Sequence, residues 1–156
     1  MLPKKTCTGC SACMSICPKN CICMTRNTDG FLYPKIDTKV CVNCGLCEKI
    51  CPVIKEKNQE QQNHPTTYAA SILNEDVRKN SSSGGIFTAI AEQILESNGI
   101  VYGAAFSEDL YVKHIGVTNT SDLDKLRRSK YVQSDLNGCF KEIKEQLENN
   151  IHFVHI

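Results

Sequence analysis

Ten cysteines crowd the first 51 residues of this 156-residue chain, and eight of them form two copies of one comb. The first copy is Cys7, Cys10, Cys13 and Cys17 followed by Pro18; the second is Cys41, Cys44, Cys47 and Cys51 followed by Pro52. Three thiols at two-residue gaps, a fourth after three residues, and then proline is the spacing that holds paired [4Fe–4S] cubes. Each cube presents four irons and takes one thiolate on each; the close-spaced trio fills three corners, and the fourth cysteine of each run crosses to the other cube. The spacing therefore assigns Cys7, Cys10, Cys13 and Cys51 to cluster I, and Cys41, Cys44, Cys47 and Cys17 to cluster II. The chemistry expected of such cubes is one-electron transfer. A structural zinc site is the alternative, but zinc favours paired knuckles with four ligands per ion, which this comb fits poorly. Cys21, Cys23 and Cys139 stand outside both runs and read as small packing residues, with Cys21 and Cys23 expected on one face of a strand.

The elements that must position these thiols are short. About 55 residues bury little apolar surface, so metal ligation is expected to supply folding energy here. Pro18 and Pro52 are expected to end short helical turns at the fourth ligand of each run. Between the runs, Ile22–Thr25 and Phe31–Pro34 flank Asp29-Gly30, which predicts a hairpin whose Met and aromatic side chains shield the clusters. Residues 56–67 are polar, aperiodic and closed by Pro65, and read as a linker. Beyond it the pattern predicts a strand over Tyr68–Leu73. A helix follows over Ile86–Glu96 with Phe87, Ile90, Ala91 and Ile94 on its buried face, stopped by Asn98-Gly99. Strands are then expected over Ile100–Phe106 and Leu110–Val117, a short helix capped at Ser121, and a helix over Leu136–Asn149 with Phe140, Ile143 and Leu147 together. The fold class expected is an α+β ferredoxin-like double-cluster domain (1–55) followed by a partial α/β domain (68–156); the apolar Ile151–Ile156 reads as a strand that either sits at a sheet edge or belongs to a sheet the chain does not carry further.

Composition narrows the function classes. The formal charge is +1, with no basic block suited to nucleic acid. No apolar run long enough to cross a membrane is present, and the start lacks an export signal, so a cytoplasmic protein with reduced thiols is expected. His64, His114, His152 and His155 share no spacing with carboxylates, and no nucleophilic triad or P-loop is legible. Ser83, Gly84 and Gly85 ahead of a helix offer amides to a phosphate or a flavin edge, or else form only an N-cap and a turn. Arg127, Arg128 and Lys130 either reach a pyrophosphate or line a solvated helix face.

Three pieces occur in order after the cysteine segment: Ser82-Ser83-Gly84-Gly85 before an apolar helix, Gly99 to Phe106, and Leu126 to Ser134. With them the chain resembles the coenzyme F-420 hydrogenase/dehydrogenase beta-subunit family. That resemblance implies electrons passing from iron–sulfur clusters through FAD to a deazaflavin coenzyme, with Ser83, Gly84, Gly85, Arg127 and Lys130 as cofactor contacts. It also implies a redox partner protein or flavoenzyme. The family continues past Val154, so the chain reads as truncated and is expected not to turn over substrate alone. A stand-alone carrier whose second unit only docks a partner is the alternative.

Overall fold

The computed structural model describes residues 6–55, 66–136, 138–149 and 151–155. The expected linker lies outside them except at Thr66 and Thr67, as do His64 and Ile156. The molecule is a small α+β protein with two sheets, and the chain divides into two compact units, Met1–His64 and Pro65–Ile156.

In the first unit, α1 (Ala12–Ile16) precedes an antiparallel hairpin of β1 (Ile22–Arg26) and β2 (Leu32–Ile36), in register from Ile22↔Ile36 to Arg26↔Leu32. Asn27 organises the turn: its side-chain oxygen accepts from the amides of Asp29 (3.1 Å) and Phe31 (2.8 Å), and Gly30 supplies φ 86°. Then come α2 (Leu46–Lys49) and α3 (Pro52–Lys55). Two expectations change here. Cys21 precedes β1 and is buried, whereas Cys23 is exposed, so the pair shares no face. Pro18 follows α1 as expected, but Pro52 opens α3, where its missing N–H costs no helical bond. Met24 packs on the cysteine core, while Phe31 stays 52% exposed.

In the second unit, the expected strand over 68–73 is absent. Ile72 donates to the Gly84 carbonyl at 2.7 Å, and Tyr68 and Leu73 are exposed. A short α4 (Glu75–Lys79) is capped by Asn74, whose side chain accepts from Asp76 and Val77. Helix α5 (Ile86–Glu96) buries Thr88, Ala91 and Leu95, while Ile90 faces outward at 43% exposure. The stop at its end is a Schellman arrangement: Asn98 takes the left-handed position (φ 56°), and Gly99 N–H reaches the Ile94 carbonyl at 2.9 Å. Gly99 itself is needed for closeness, since a Cβ there would meet Ile94 Cγ2 at 2.6 Å and the His152 carbonyl oxygen at 2.7 Å.

Strand β3 (Ile100–Phe106) is the centre of the sheet, antiparallel to β4 (Val112–Val117) and parallel to the edge strand β5 (Phe153–His155). Asn119, rather than Ser121, caps the next segment by accepting from the Asp122 amide; a 3-10 turn then runs into α6 (Leu123–Leu126). Helix α7 (Cys139–Glu148) starts three residues later than expected and buries Cys139 and Ile143, leaving Leu147 half exposed and Phe140 near the surface. Ala91, Leu95, Val101, Ala105, Val117, Leu123 and Leu126 make the core between α5, α6 and the sheet.

Candidate functional site

The two cysteine runs share a backbone device that the spacing alone does not announce. In the first run, Gly9 (φ 70°) and Ser11 (φ 60°) are left-handed; in the second, Asn43 (φ 53°) and Gly45 (φ 73°) occupy the same two offsets from the leading cysteine. Glycine, asparagine and a serine with a local hydrogen bond are residues able to take that conformation at low cost. Ser11 is buried, and its hydroxyl donates to the Gly9 carbonyl at 3.4 Å. Ser11 and Gly45 are also the N-caps of α1 and α2, with no side chain closing either helix start. Alternating right- and left-handed residues turn successive amides toward one concavity, a nest suited to an anion, and an iron–sulfur cube with four thiolates carries about two negative charges.

Around these loops the cysteines sort into two pockets. Cys7, Cys10, Cys13 and Cys51 line a narrow one, together with Met24, Pro34 and Val53. Cys17, Cys41, Cys44 and Cys47 line a wider one of about 540 Å³, with Ile22, Ile36 and Cys21. Among the described residues, no three Cys, His, Asp or Glu side chains converge tightly enough to hold a single metal ion. Zinc needs its sulfurs at about 2.3 Å from one point, whereas a cube spreads its thiolates over four separate irons. Four cysteines ringing each pocket thus suit a cube. Burial pushes the Cys13 thiol up to about 11 and raises that of Cys47, so both must surrender a proton to ligate.

The second unit holds a cleft of about 520 Å³ at the N-terminus of α5. It brings Ser83, Gly84, Gly85, Arg127 and Lys130 together, with Arg128, Phe87 and Ala104 also on its walls. Ser83 is exposed and does not cap the helix; Gly85 holds that position at φ 78°. Both glycines have a steric reason as well, because a Cβ on Gly84 would run into the Ala70 carbonyl and one on Gly85 would come within 2.7 Å of Ile72 Cγ2. Arg127 lies just past α6, 18% exposed, with its Nε donating to the buried Thr88 hydroxyl (3.2 Å) and its Nη1 paired with Asp124. Lys130 donates to the Arg127 and Lys125 carbonyls at 2.6 and 3.1 Å, and burial lowers its pKa. The charge run is therefore not a helix face: it closes the open carbonyl end of α6. Arg128, exposed and left-handed at φ 66°, has no hydrogen-bond partner among the described residues. Thr88, which anchors Arg127, gave no signal in the sequence beyond a polar residue on an apolar helix face. His114 bonds through Nδ1 to the Ser134 hydroxyl at 2.7 Å.

Residues 6–54 match the family described as 4Fe-4S dicluster domain. Residues 67–141 match the family described as coenzyme F420 hydrogenase/dehydrogenase, beta subunit N-term. Both bear out the resemblance read from the residues. No curated protein matches the chain as a relative. Among the described residues, no helix is long and apolar enough to cross a membrane.

Proposed function

We propose that this chain, a 4Fe-4S dicluster segment joined to the N-terminal region of a coenzyme F420 hydrogenase/dehydrogenase beta subunit, relays electrons through two [4Fe–4S] clusters to or from a flavin-linked site. Cys7, Cys10, Cys13 and Cys51 hold one cluster, and Cys41, Cys44, Cys47 and Cys17 hold the other. The observation that carries this reading is the sorting of eight cysteines into two pockets, each taking three from one run and the fourth from the other. When bound, the clusters supply one-electron storage and transfer. The chain supplies the rest: thiolates that fix each cube, left-handed backbone that offers amides to its charge, and Met24, Pro34 and Val53, which keep water from the first pocket. The thiols need a reducing compartment such as the cytoplasm, and a redox protein or flavoenzyme is the partner class.

The α5 cleft is the place for a flavin phosphate or ring edge, with the amides after Gly85 and the cations Arg127, Arg128 and Lys130 nearby. One observation favours the second reading, a carrier whose second unit only docks a partner: Arg127 and Lys130 each already spend two donors on the chain itself. Anaerobic reconstitution with iron, sulfide and FAD separates the readings. Tight stoichiometric FAD with reduction of coenzyme F420 supports the flavin-linked form; intact clusters without flavin support the carrier. For the clusters, Cys17→Ala should deplete cluster II and Cys51→Ala cluster I, read by iron and sulfide content and by the EPR signals of each variant. Stoichiometric zinc in an anaerobic preparation, or each run holding its own cube, would refute the assignment.

A further inference from the structure

Cys21 belongs to neither comb, yet it lines the same pocket as Cys17, Cys41, Cys44 and Cys47, and it is buried. Its Sγ lies 3.3 Å from that of Cys17. The chain between them is a closed turn: the Asn20 amide donates to the Cys17 carbonyl at 3.2 Å, and Asn20, left-handed at φ 48°, leads directly into Cys21. Forming an S–S bond of about 2.05 Å asks the two sulfurs to approach by only about 1.2 Å. Cys23, by contrast, is exposed and bonds outward to the Lys35 carbonyl.

We propose that Cys17 and Cys21 are an oxidation site that forms a disulfide when cluster II is lost, withdrawing one of that cluster's ligands until a thiol reductant restores it. The oxidant is a small-molecule disulfide of the glutathione class. The Cys17 thiolate attacks one sulfur of the oxidant and expels one small thiol; the Cys21 thiolate then attacks the Cys17 sulfur and expels the second. Two protein thiols lose two electrons and two protons, and the oxidant gains them as two thiols. The disulfide itself rests on proximity, whereas its effect on the cluster rests on Cys17 being a ligand, as proposed above.

The test uses the full-length protein with its clusters reconstituted. Iron is stripped by a chelator in the presence of glutathione disulfide, remaining thiols are alkylated, and the protein is digested with trypsin. Trypsin cuts after Lys19, between the two cysteines, so the bond appears as two peptides joined until reduced. The expected result is a Cys17–Cys21 link as the main product, absent from Cys21→Ser. In a parallel sample that is neither alkylated nor digested, dithiothreitol followed by iron and sulfide restores the visible cluster absorbance of wild type, whereas Cys21→Ser, lacking the second thiolate, holds Cys17 as the mixed disulfide with the small thiol until it is reduced. Links from Cys17 to Cys41, or a Cys17 left free to alkylate, would overturn the proposal. If the link forms in wild type while Cys17→Ala still carries both clusters at full iron content, the disulfide stands and the ligand assignment falls.

Discussion

Cys139 shows what burial does to a thiol that no cluster claims. It is 3% exposed at the start of α7, and desolvation, with Glu142 adding to it, pushes its pKa from 9.0 up to about 11. The unfolded chain gives up that proton near pH 9, the folded one only near 11, so the contribution of the neutral thiol to stability is whole below about pH 9 and is lost as pH climbs toward 11. The ceiling on that effect is about 3 kcal/mol. Urea midpoints of wild type and Cys139→Ala should therefore lie further apart at about pH 8 than at about pH 10, with iron content the same in both proteins. An equal gap at the two pH values would contradict a buried neutral thiol. At this scale the sequence was legible where chemistry dictates spacing, as in the combs, and where a residue type is rarely exposed, as at Cys139. It was silent where a side chain's task is local geometry. Ser11 and Asn43 carry the left-handed backbone of the cysteine loops, and Ser11 does not signal this without the fold.

Among the elements, the two hairpins use one loop design with different success. In the first, Gly30 holds the left-handed position before Phe31; in the second, Leu110 holds it at φ 61° before Tyr111, with Ser107 in the place of Asn27. A left-handed leucine costs about 1–2 kcal/mol, and Leu110 is 79% exposed, so its side chain recovers little of that by packing. Leu110→Gly should raise stability by about 1 kcal/mol after the backbone entropy of glycine is subtracted, visible as a higher thermal midpoint. A lower midpoint would mean that the side chain packs in a way its exposure hides. The hairpins and the span of α5 could be read from periodicity and turn residues because their pairing is local. Tyr68–Leu73 misled for the complementary reason: apolar and β-branched residues favour a strand, but among the described residues no strand pairs with this segment, and the Ile72 amide bonds instead to the loop at Gly84. The N-cap at Asn119 was missed because Ser121-x-x-Asp124 mimics a capping box two residues too late.

For the molecule as a whole, the two units differ in what holds them. The buried apolar cluster around the combs is Cys13, Cys21 and Ile22, two of the three being thiols, whereas the second unit packs seven residues from two helices and two strands. Metal should consequently be most of the first unit's stability and little of the second's. Stripping iron anaerobically under reductant should lower amide-exchange protection in α1, β1 and β2 while α5 and β3 keep theirs, measured by hydrogen exchange and mass spectrometry. Equal loss in both units would show that the second depends on the clusters too.

The position of β5 also bears on biosynthesis. Its partner β3 is made about fifty residues earlier, and β4 can zip onto β3 across a short turn as soon as both leave the ribosome. Translation at roughly 5–20 residues per second leaves the other flank of β3 bare for several seconds. During that interval, which ribosome pausing would prolong, the nascent chain carries an open edge beside the apolar residues of α5.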